Sequence, residues 1–388
     1  MCATLTRKFD VMRLKFTENF FEPDEKSSMD QVLIVVTLLL LGVGIMMMYS
    51  SSALLAQRKY DDAAFFLKRQ GLWVFLGLIV LVVISNFQHR HWKKIVGFLL
   101  CIGLLLLATV LFSPLGEPIN GARRWLRLGI VTVQPSEMIK LVLIIYLACY
   151  LDGREKRLQS FLHGAFPAVL VIGVFVGLVV CEPDLGAAVV IIAITGGMLF
   201  IGGTPLRHLM GLAILAISIC SYLVLQTAYQ KERVLAFLNP HADPMNSGFQ
   251  TIQSMLAIGS GGIWGLGLGE GNQKRLFLPE PHTDFVFAIL SEELGLVGGI
   301  FVLGLYGVLI WRGFRIAWNS KDLLGYYLAY GITLLLALQV LINVGVVSGM
   351  LPAKGLTLPF LSYGGSAIVM NLAAIGILVS VSRSRGHT

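Results

Sequence analysis

Hydrophobic positions in this chain come in long unbroken runs, not in the alternation of strands or the narrow stripes of soluble helices. Runs of about 16–25 apolar residues suffice to span ~30 Å of hydrocarbon as helices, and they fall near residues 32–54, 70–87, 95–113, 136–151, 166–181, 186–203, 208–227, 285–310, 324–347 and 364–382. No run shows the period-2 alternation of a membrane barrel. The pattern predicts an all-α polytopic integral membrane protein with ten transmembrane helices. It divides into an N-terminal tail at 1–30, a membrane domain at 31–383 and a short tail at 384–388. The fifth and sixth runs are separated only by Glu182-Pro-Asp-Leu-Gly186, whose acids suit a tight, capped turn. Polar sequence collects in three loops on one side, near 114–135, 228–284 and 348–363. Within the long one, 248–258 reads as a short amphipathic helix, with Ile252, Met255, Leu256 and Ile258 apolar and Gln250 and Gln253 polar. No internal repeat supports a transporter of inverted-repeat design.

Composition agrees with the pattern. Hydrophobic residues make up 56% of the 388 and charged residues 13%, and mean hydropathy is +0.78. The net charge of +8 raises the question of nucleic acid, but the basic residues are dispersed between apolar runs with no basic domain, so no nucleic-acid partner is expected. Orientation accounts for them better. More than half of the 30 Lys and Arg residues fall on the side holding both termini, and the short loops 88–94 and 152–158 are clearly basic. This predicts both termini inside and the three long loops outside. The first 30 residues lack the apolar core of a cleavable leader. The five cysteines, Cys2, Cys101, Cys149, Cys181 and Cys220, have no metal-ligand spacing and predict no disulfide framework.

Candidate chemistry gathers where the longest loop enters the eighth run: Glu280, His282 and Asp284, then Glu292 and Glu293 inside apolar sequence. A carboxylate in hydrocarbon costs roughly 2.5 kcal/mol or more and marks function or a buried partner. Asp284 has two readings, a general base at the membrane surface or the N-cap of the following helix. Glu292 lies eight residues on, ~12 Å along a helix and ~80° around it, too far for a retaining-glycosidase pair. It and Glu293 read as bonded to neighbouring helices. Glu280, His282 and Asp284 also form a candidate magnesium- or manganese-like divalent site, though their spacing is no metal signature. Cations in the same outer loops suit phosphate: Arg123, Arg124, Arg127, Lys231, Arg233, Lys274, Arg275 and Lys354. Individually each also suits a lipid headgroup. The glycine-rich run 259–271 offers backbone N–H donors for an anion nest. Lys140, three residues after Glu137 in the fourth run, either pairs with it on one helix face or reaches up toward an anionic substrate.

Pro279-Glu-Pro-His-Thr-Asp-Phe-Val-Phe-Ala-Ile-Leu-Ser-Glu-Glu-Leu-Gly295 and Leu358-Pro-Phe-Leu-Ser-Tyr-Gly-Gly-Ser366 closely resemble motifs of the SEDS family (shape, elongation, division and sporulation) of bacterial cell-wall polymerases. Asn120-Gly-Ala-Arg-Arg-Trp125, Gln134-Pro-Ser-Glu137, Glu182-Pro-Asp-Leu-Gly186 and Phe249-Gln-Thr-Ile-Gln-Ser254 extend the resemblance from about residue 30 to the end. Gly349-Met-Leu-Pro-Ala-Lys-Gly-Leu-Thr-Leu-Pro359 is more similar to the division branch than to the elongation branch, with the sporulation branch close behind. Ser291 stands where many relatives have Gly.

The resemblance implies ten helices in the bacterial inner membrane and an active site on the outer face. It implies a glycosyltransferase that polymerises lipid II into the growing glycan strand during septal wall synthesis. The partners implied are a class B penicillin-binding protein, other divisome membrane proteins and membrane lipid. The family's essential aspartate falls on Asp284, and its important positions in the first outer loop and fourth span fall on Arg123, Glu137 and Lys140. Lys274, Arg275, His282 and Ser366 complete the expected substrate-binding set, with a divalent cation as an optional cofactor. Two other functions remain open: a flippase for the lipid-linked precursor, supported by Lys140 and Glu137, and a scaffold recruiting a partner enzyme.

Overall fold

The computed structural model describes residues 29–114, 116–119, 122–128, 131–154, 157–246, 248–273, 283–352 and 355–383. Each of the ten apolar runs folds as a helix: α1 (Gln31–Tyr60), α2 (Phe65–Asn86), α3 (Trp92–Phe112), α4 (Pro135–Leu151), α5 (Phe166–Cys181), α6 (Leu185–Ile201), α7 (Leu206–Gln226), α10 (Val286–Trp318), α11 (Leu323–Val347) and α12 (Gly365–Arg383). Two further helices, α8 (Ala228–Leu238) and α9 (Phe249–Gly261), lie in the long loop. Among the described residues eight helices are long and apolar enough to cross a membrane, α5 being continuous with the π-helical turn Phe161–Ala165 that precedes it. The other two of the ten, α4 and α6, have 17 residues each.

The fold is not purely helical. Residues 116–133 form a three-stranded antiparallel sheet, β1 (Gly116–Ile119), β2 (Ala122–Leu128) and β3 (Val131–Val133), in the order β1-β2-β3. Along β2 the side chains alternate: Arg123 and Arg127 are exposed, whereas Leu126 is only 2% exposed. That alternation was the strand signal in what reads as a loop.

The core is built on α4, α11 and α12. Nearly all of α4 is buried, and α12 buries residues around its whole circumference. Helices buried all round need apolar residues on every face, which is why these sequences show no amphipathic stripe. α2 and α12 form the most extensive helix pair, and Gly365 lets the Trp73 ring lie against the first turn of α12. α7 is the opposite case, with no buried residue at all.

α9 forms over nearly the predicted residues, but its inward face is not the predicted one. Thr251, Ser254, Ala257 and Gly261 point into the protein, while Met255 and Leu256 are exposed. Small residues allow close helix approach, and the Ser254 hydroxyl donates to the Val347 carbonyl at the end of α11 (2.6 Å). The four described cysteines are free.

Candidate functional site

Asp284 sits, half-buried, in the turn that leads into α10. The N-cap of that helix is Phe285, with no side-chain capping bond, so the capping position falls one residue beyond Asp284. A polar residue of α11 fixes the turn: Asn343 Nδ2 donates to the Asp284 carbonyl (3.1 Å) and to the Leu356 carbonyl (2.7 Å). The carboxylate lies against the segment after α11, since a Cβ placed on Gly355 would stand 3.0 Å from Asp284 Oδ2. One residue on, the Leu356 side chain lies 3.4 Å from the Cβ position of Gly186, which itself is 3.6 Å from Asp184 Oδ1. The segment 355–358 therefore bridges Asp284 and the α5–α6 turn.

That turn is a polar hub. Asp184 is the N-cap of α6, accepting from Ala187 N–H (3.1 Å). Its other oxygen accepts from Ser136 Oγ (3.1 Å) and Gln134 Nε2 (3.2 Å) at the start of α4. Gln134 N–H donates in turn to Ser366 Oγ in the first turn of α12 (3.2 Å). Arg124 of β2 donates to the carbonyls of Glu182 and Pro183, pinning the sheet to the hub. Glu182 is fully buried, and among the described residues neither carboxyl oxygen has a hydrogen-bond partner. Burial first, and then the Asp184 charge, push its carboxyl up to about 8 against the opposing pull of Arg124. Asn343 Oδ1 and Thr357 Oγ1 are likewise buried without a partner. Buried polar atoms normally have one, so these three side chains mark the polar region around the hub as unusual.

One turn deeper in α4, Lys140 is 1% exposed and its Nζ donates to Glu137 Oε1 at 2.7 Å. The ion pair on one helix face is formed. Such a pair survives burial because removing either partner would strand a charge.

Part of the glycine-rich run turns its backbone donors inward. It heals a break in α10. At Gly295 (φ 66°, ψ −165°) the helix is interrupted, and the run supplies the missing backbone bonds. Leu266 and Gly267 N–H donate to the carbonyls of Glu292 and Glu293 (3.0 Å each), while Leu296 and Val297 N–H donate to Gly262 and Ile263 (2.9 and 3.2 Å). A broken helix at membrane depth is tolerated only where protein re-satisfies it. Gly265 (φ 82°) must be glycine for two reasons: its backbone is left-handed, and a Cβ would fall 2.1 Å from the Glu293 carbonyl. Just beyond the run, Asn272 and Gln273 N–H donate to the Glu292 carboxylate (2.7 and 3.2 Å). Glu293 accepts from Ser50 Oγ of α1 (2.6 Å). Both glutamates are buried and bonded, Glu293 to a neighbouring helix as expected and Glu292 to loop backbone instead.

The structure thus brings Asp284 to the hub of Asp184, Glu182, Arg124 and Ser366, with Glu137–Lys140 one turn below. Arg123 is on β2, exposed and pointing away from buried Leu126. Glu280, His282, Lys274, Arg275 and Lys354 lie outside the described residues, so the proposed divalent site does too. Among the described residues no three His, Cys, Asp or Glu side chains converge. Sequence reasoning missed Asn343 and held Gln134 and Ser136 only as letters of a family motif, with no role at the site. The signal for Asn343 was available, a lone amide near the end of an apolar run.

A family model described as cell cycle protein, covering FtsW, RodA and SpoVE, matches residues 30–387. The chain belongs to the FtsW/RodA/SpoVE family. It is 44% identical over 359 residues to stage V sporulation protein E of Bacillus subtilis (strain 168), covering 92% of this chain and 98% of that one. It is 42% identical over 331 residues to the probable peptidoglycan glycosyltransferase FtsW of Geobacter sp. (strain M18), covering 85% and 90%. The resemblance to the division branch is thus shared about equally with the sporulation branch. Among solved structures, a chain of a peptidoglycan synthase complex superposes with TM-score 0.76 at 35% identity, and the rod shape determining protein RodA of Thermus thermophilus with 0.69 at 32%, each covering 93% of this chain and 99% of the other. Three of the SEDS motifs, Gln134–Glu137, Glu182–Gly186 and Leu358–Ser366, meet in the hub beside Asp284.

Proposed function

We propose that this chain is a peptidoglycan glycosyltransferase that polymerises lipid II in the bacterial inner membrane, with Asp284 as its general base. The observation that carries this is the position of Asp284: half-exposed, its backbone fixed by Asn343, and its carboxylate against Gly355 in the segment that leads to the hub. The naming of FtsW relatives as probable peptidoglycan glycosyltransferases over most of the chain supports the same reading.

The carboxylate takes the proton of the acceptor sugar's 4-hydroxyl. That oxygen bonds to the donor's anomeric carbon with inversion, and the bond from that carbon to the polyprenyl diphosphate breaks, the electron pair leaving with the diphosphate. One carboxylate suffices for an inverting displacement. Charge on the leaving diphosphate is stabilised by cations, for which Arg123, Lys140, Lys274 and Arg275 are the candidates. No step is assigned to a divalent cation.

The ten helices make ten crossings with both termini inside. The 17-residue α4 and α6 span ~25 Å at 1.5 Å per residue, which suits crossings enclosed by protein. A class B penicillin-binding protein is the partner this reading requires, in keeping with the likeness to a peptidoglycan synthase complex.

The test is electrophoresis of labelled lipid II products, with and without partner and chelator. Asp284→Ala and Asp284→Asn are expected to abolish strands while the protein stays folded; retained polymerisation ends the proposal. Transbilayer movement of lipid II in liposomes without polymer would instead favour a flippase.

A further inference from the structure

The turn joining α1 to α2 is at the same end of the bundle as Asp284 and is used by nothing described above. It gathers four cations, Arg58, Lys59, Lys68 and Arg69, on the side where the distribution of charge predicts few. Among the described residues, Lys68 is the one of the four held by a carboxylate, Asp62 at 2.8 Å. Lys59 and Arg69 ride on aromatic faces instead, 5.4 Å from the Tyr60 ring centre and 4.6 Å from that of Phe65. Tyr60 and Phe65 stack with centres 3.8 Å apart and planes 11° from parallel, and Phe66 meets both Phe65 and Tyr363 edge-on. Phe66 is buried while Tyr60 is 41% exposed, so the group is a rooted platform with an open rim.

The platform is continuous with the candidate site. Tyr363 ends the segment whose Gly355 abuts Asp284, and Gln70 Nε2 ties that segment to α2 by donating to the Ser362 carbonyl (3.3 Å). Trp73 against Gly365 stiffens the same contact. Aromatic faces carry negative charge and attract the C–H face of a pyranose ring. Guanidinium and ammonium groups at the rim, of which Arg69 also bonds the Tyr363 hydroxyl, attract carboxylates.

On the reading that Asp284 polymerises lipid II, we propose that the Tyr60–Phe65–Tyr363 platform with Arg58, Lys59 and Arg69 binds the nascent strand, a polysaccharide bearing anionic peptide stems. It holds product already made and takes no part in bond formation.

The test is direct binding of preformed, uncross-linked, fluorescently labelled glycan strands to the full chain in nanodiscs of neutral phosphatidylcholine, read by anisotropy. The variants are Tyr60→Leu, which keeps apolar bulk, and the double Arg58→Ser/Lys59→Ser, each checked for an unchanged thermal midpoint. Each is expected to weaken binding at least fivefold, whereas Asp284→Asn leaves it unchanged. In polymerisation assays the same variants are expected to shorten strands with lipid II consumption changed less than twofold. Equal binding by wild type and variants, or no binding by wild type, overturns the platform without touching the polymerase reading. Failure of wild type to polymerise overturns the latter alone. A variant effect on strand length that appears only in vesicles containing anionic phosphatidylglycerol means that the cations hold lipid headgroups, and also overturns the platform.

Discussion

The two ends of the helix bundle use charge in opposite ways. At the end away from Asp284, ionic groups are closed into pairs that lace helices together. Arg312 of α10 holds Asp30 ahead of α1 (2.7 Å), and Asp30 N–H reaches Ser382 of α12. Asp322, the N-cap of α11, takes His89 and Arg90 (2.9 and 3.2 Å). The His89 bond, with help from Gly325 N–H and Arg90, holds its carboxyl well below the usual carboxylate range against the opposing effect of burial. Lys93 pairs with Asp152, and Arg383 caps Ser85 and Asn86. At the Asp284 end, Glu182, Asn343 and Thr357 keep buried oxygens without partners. Buried atoms without a partner occur at the far end too, at His91, Trp92, Thr204 and His208, so the difference lies in the carboxylates: Asp30, Asp152 and Asp322 are closed into ion pairs, whereas Glu182 has no bonded partner among the described residues.

That contrast can be broken by substitution. Arg312→Met leaves Asp30 buried and unpaired and is expected to cost ~3–5 kcal/mol, read as a fall in thermal midpoint in detergent, with activity per folded molecule preserved. Lys140→Met strands Glu137 at a similar ~3–5 kcal/mol but lies beside the hub, so activity per folded molecule should fall as well; preserved activity would detach the pair from the site. Asp322→Asn is expected to cost ~1–3 kcal/mol through weakened bonds to His89 and Arg90, and polymerisation should survive. Glu182→Gln sharpens the comparison through pH. The folded protein holds the Glu182 proton up to about 8, against 4.5 for the ordinary group. Its stabilisation is therefore full below pH 4.5 and is lost as pH rises toward 8. Wild type should lose stability relative to the variant across that window, and parallel profiles would show that the carboxyl has a partner. Smallest is Lys93→Ala, a half-exposed ion pair worth at most ~1 kcal/mol.

Much of this was legible in the sequence, and the exceptions share a cause. Apolar run length located all ten helices because a membrane core fixes length independently of neighbours. The ion pair Glu137–Lys140 and the cap at Asp184 were legible because they are local. What escaped was non-local or lay in loops. The glycine run looked like an anion nest, yet part of it serves Glu292, Glu293 and the break at Gly295, a destination that no local pattern shows. The strand β2 hid in a loop because three arginines outweighed its alternation. α9 presents Thr251 and Ser254 inward, because close backbone approach to α10 and α11 favours small residues over large apolar ones. Asn343 was a single polar letter whose role depends on Asp284 and Leu356, far away in sequence.

The central claim is that reaction belongs to the end that holds Asp284 and stability to the end laced by ion pairs. Asp284→Asn and Asp322→Asn, matched for folded yield and each reconstituted with a partner penicillin-binding protein and labelled lipid II, test it side by side. The account predicts no glycan strands from the first, and strands within about threefold of wild type from the second. Strand synthesis by the Asp284 variant at the wild-type rate would contradict it.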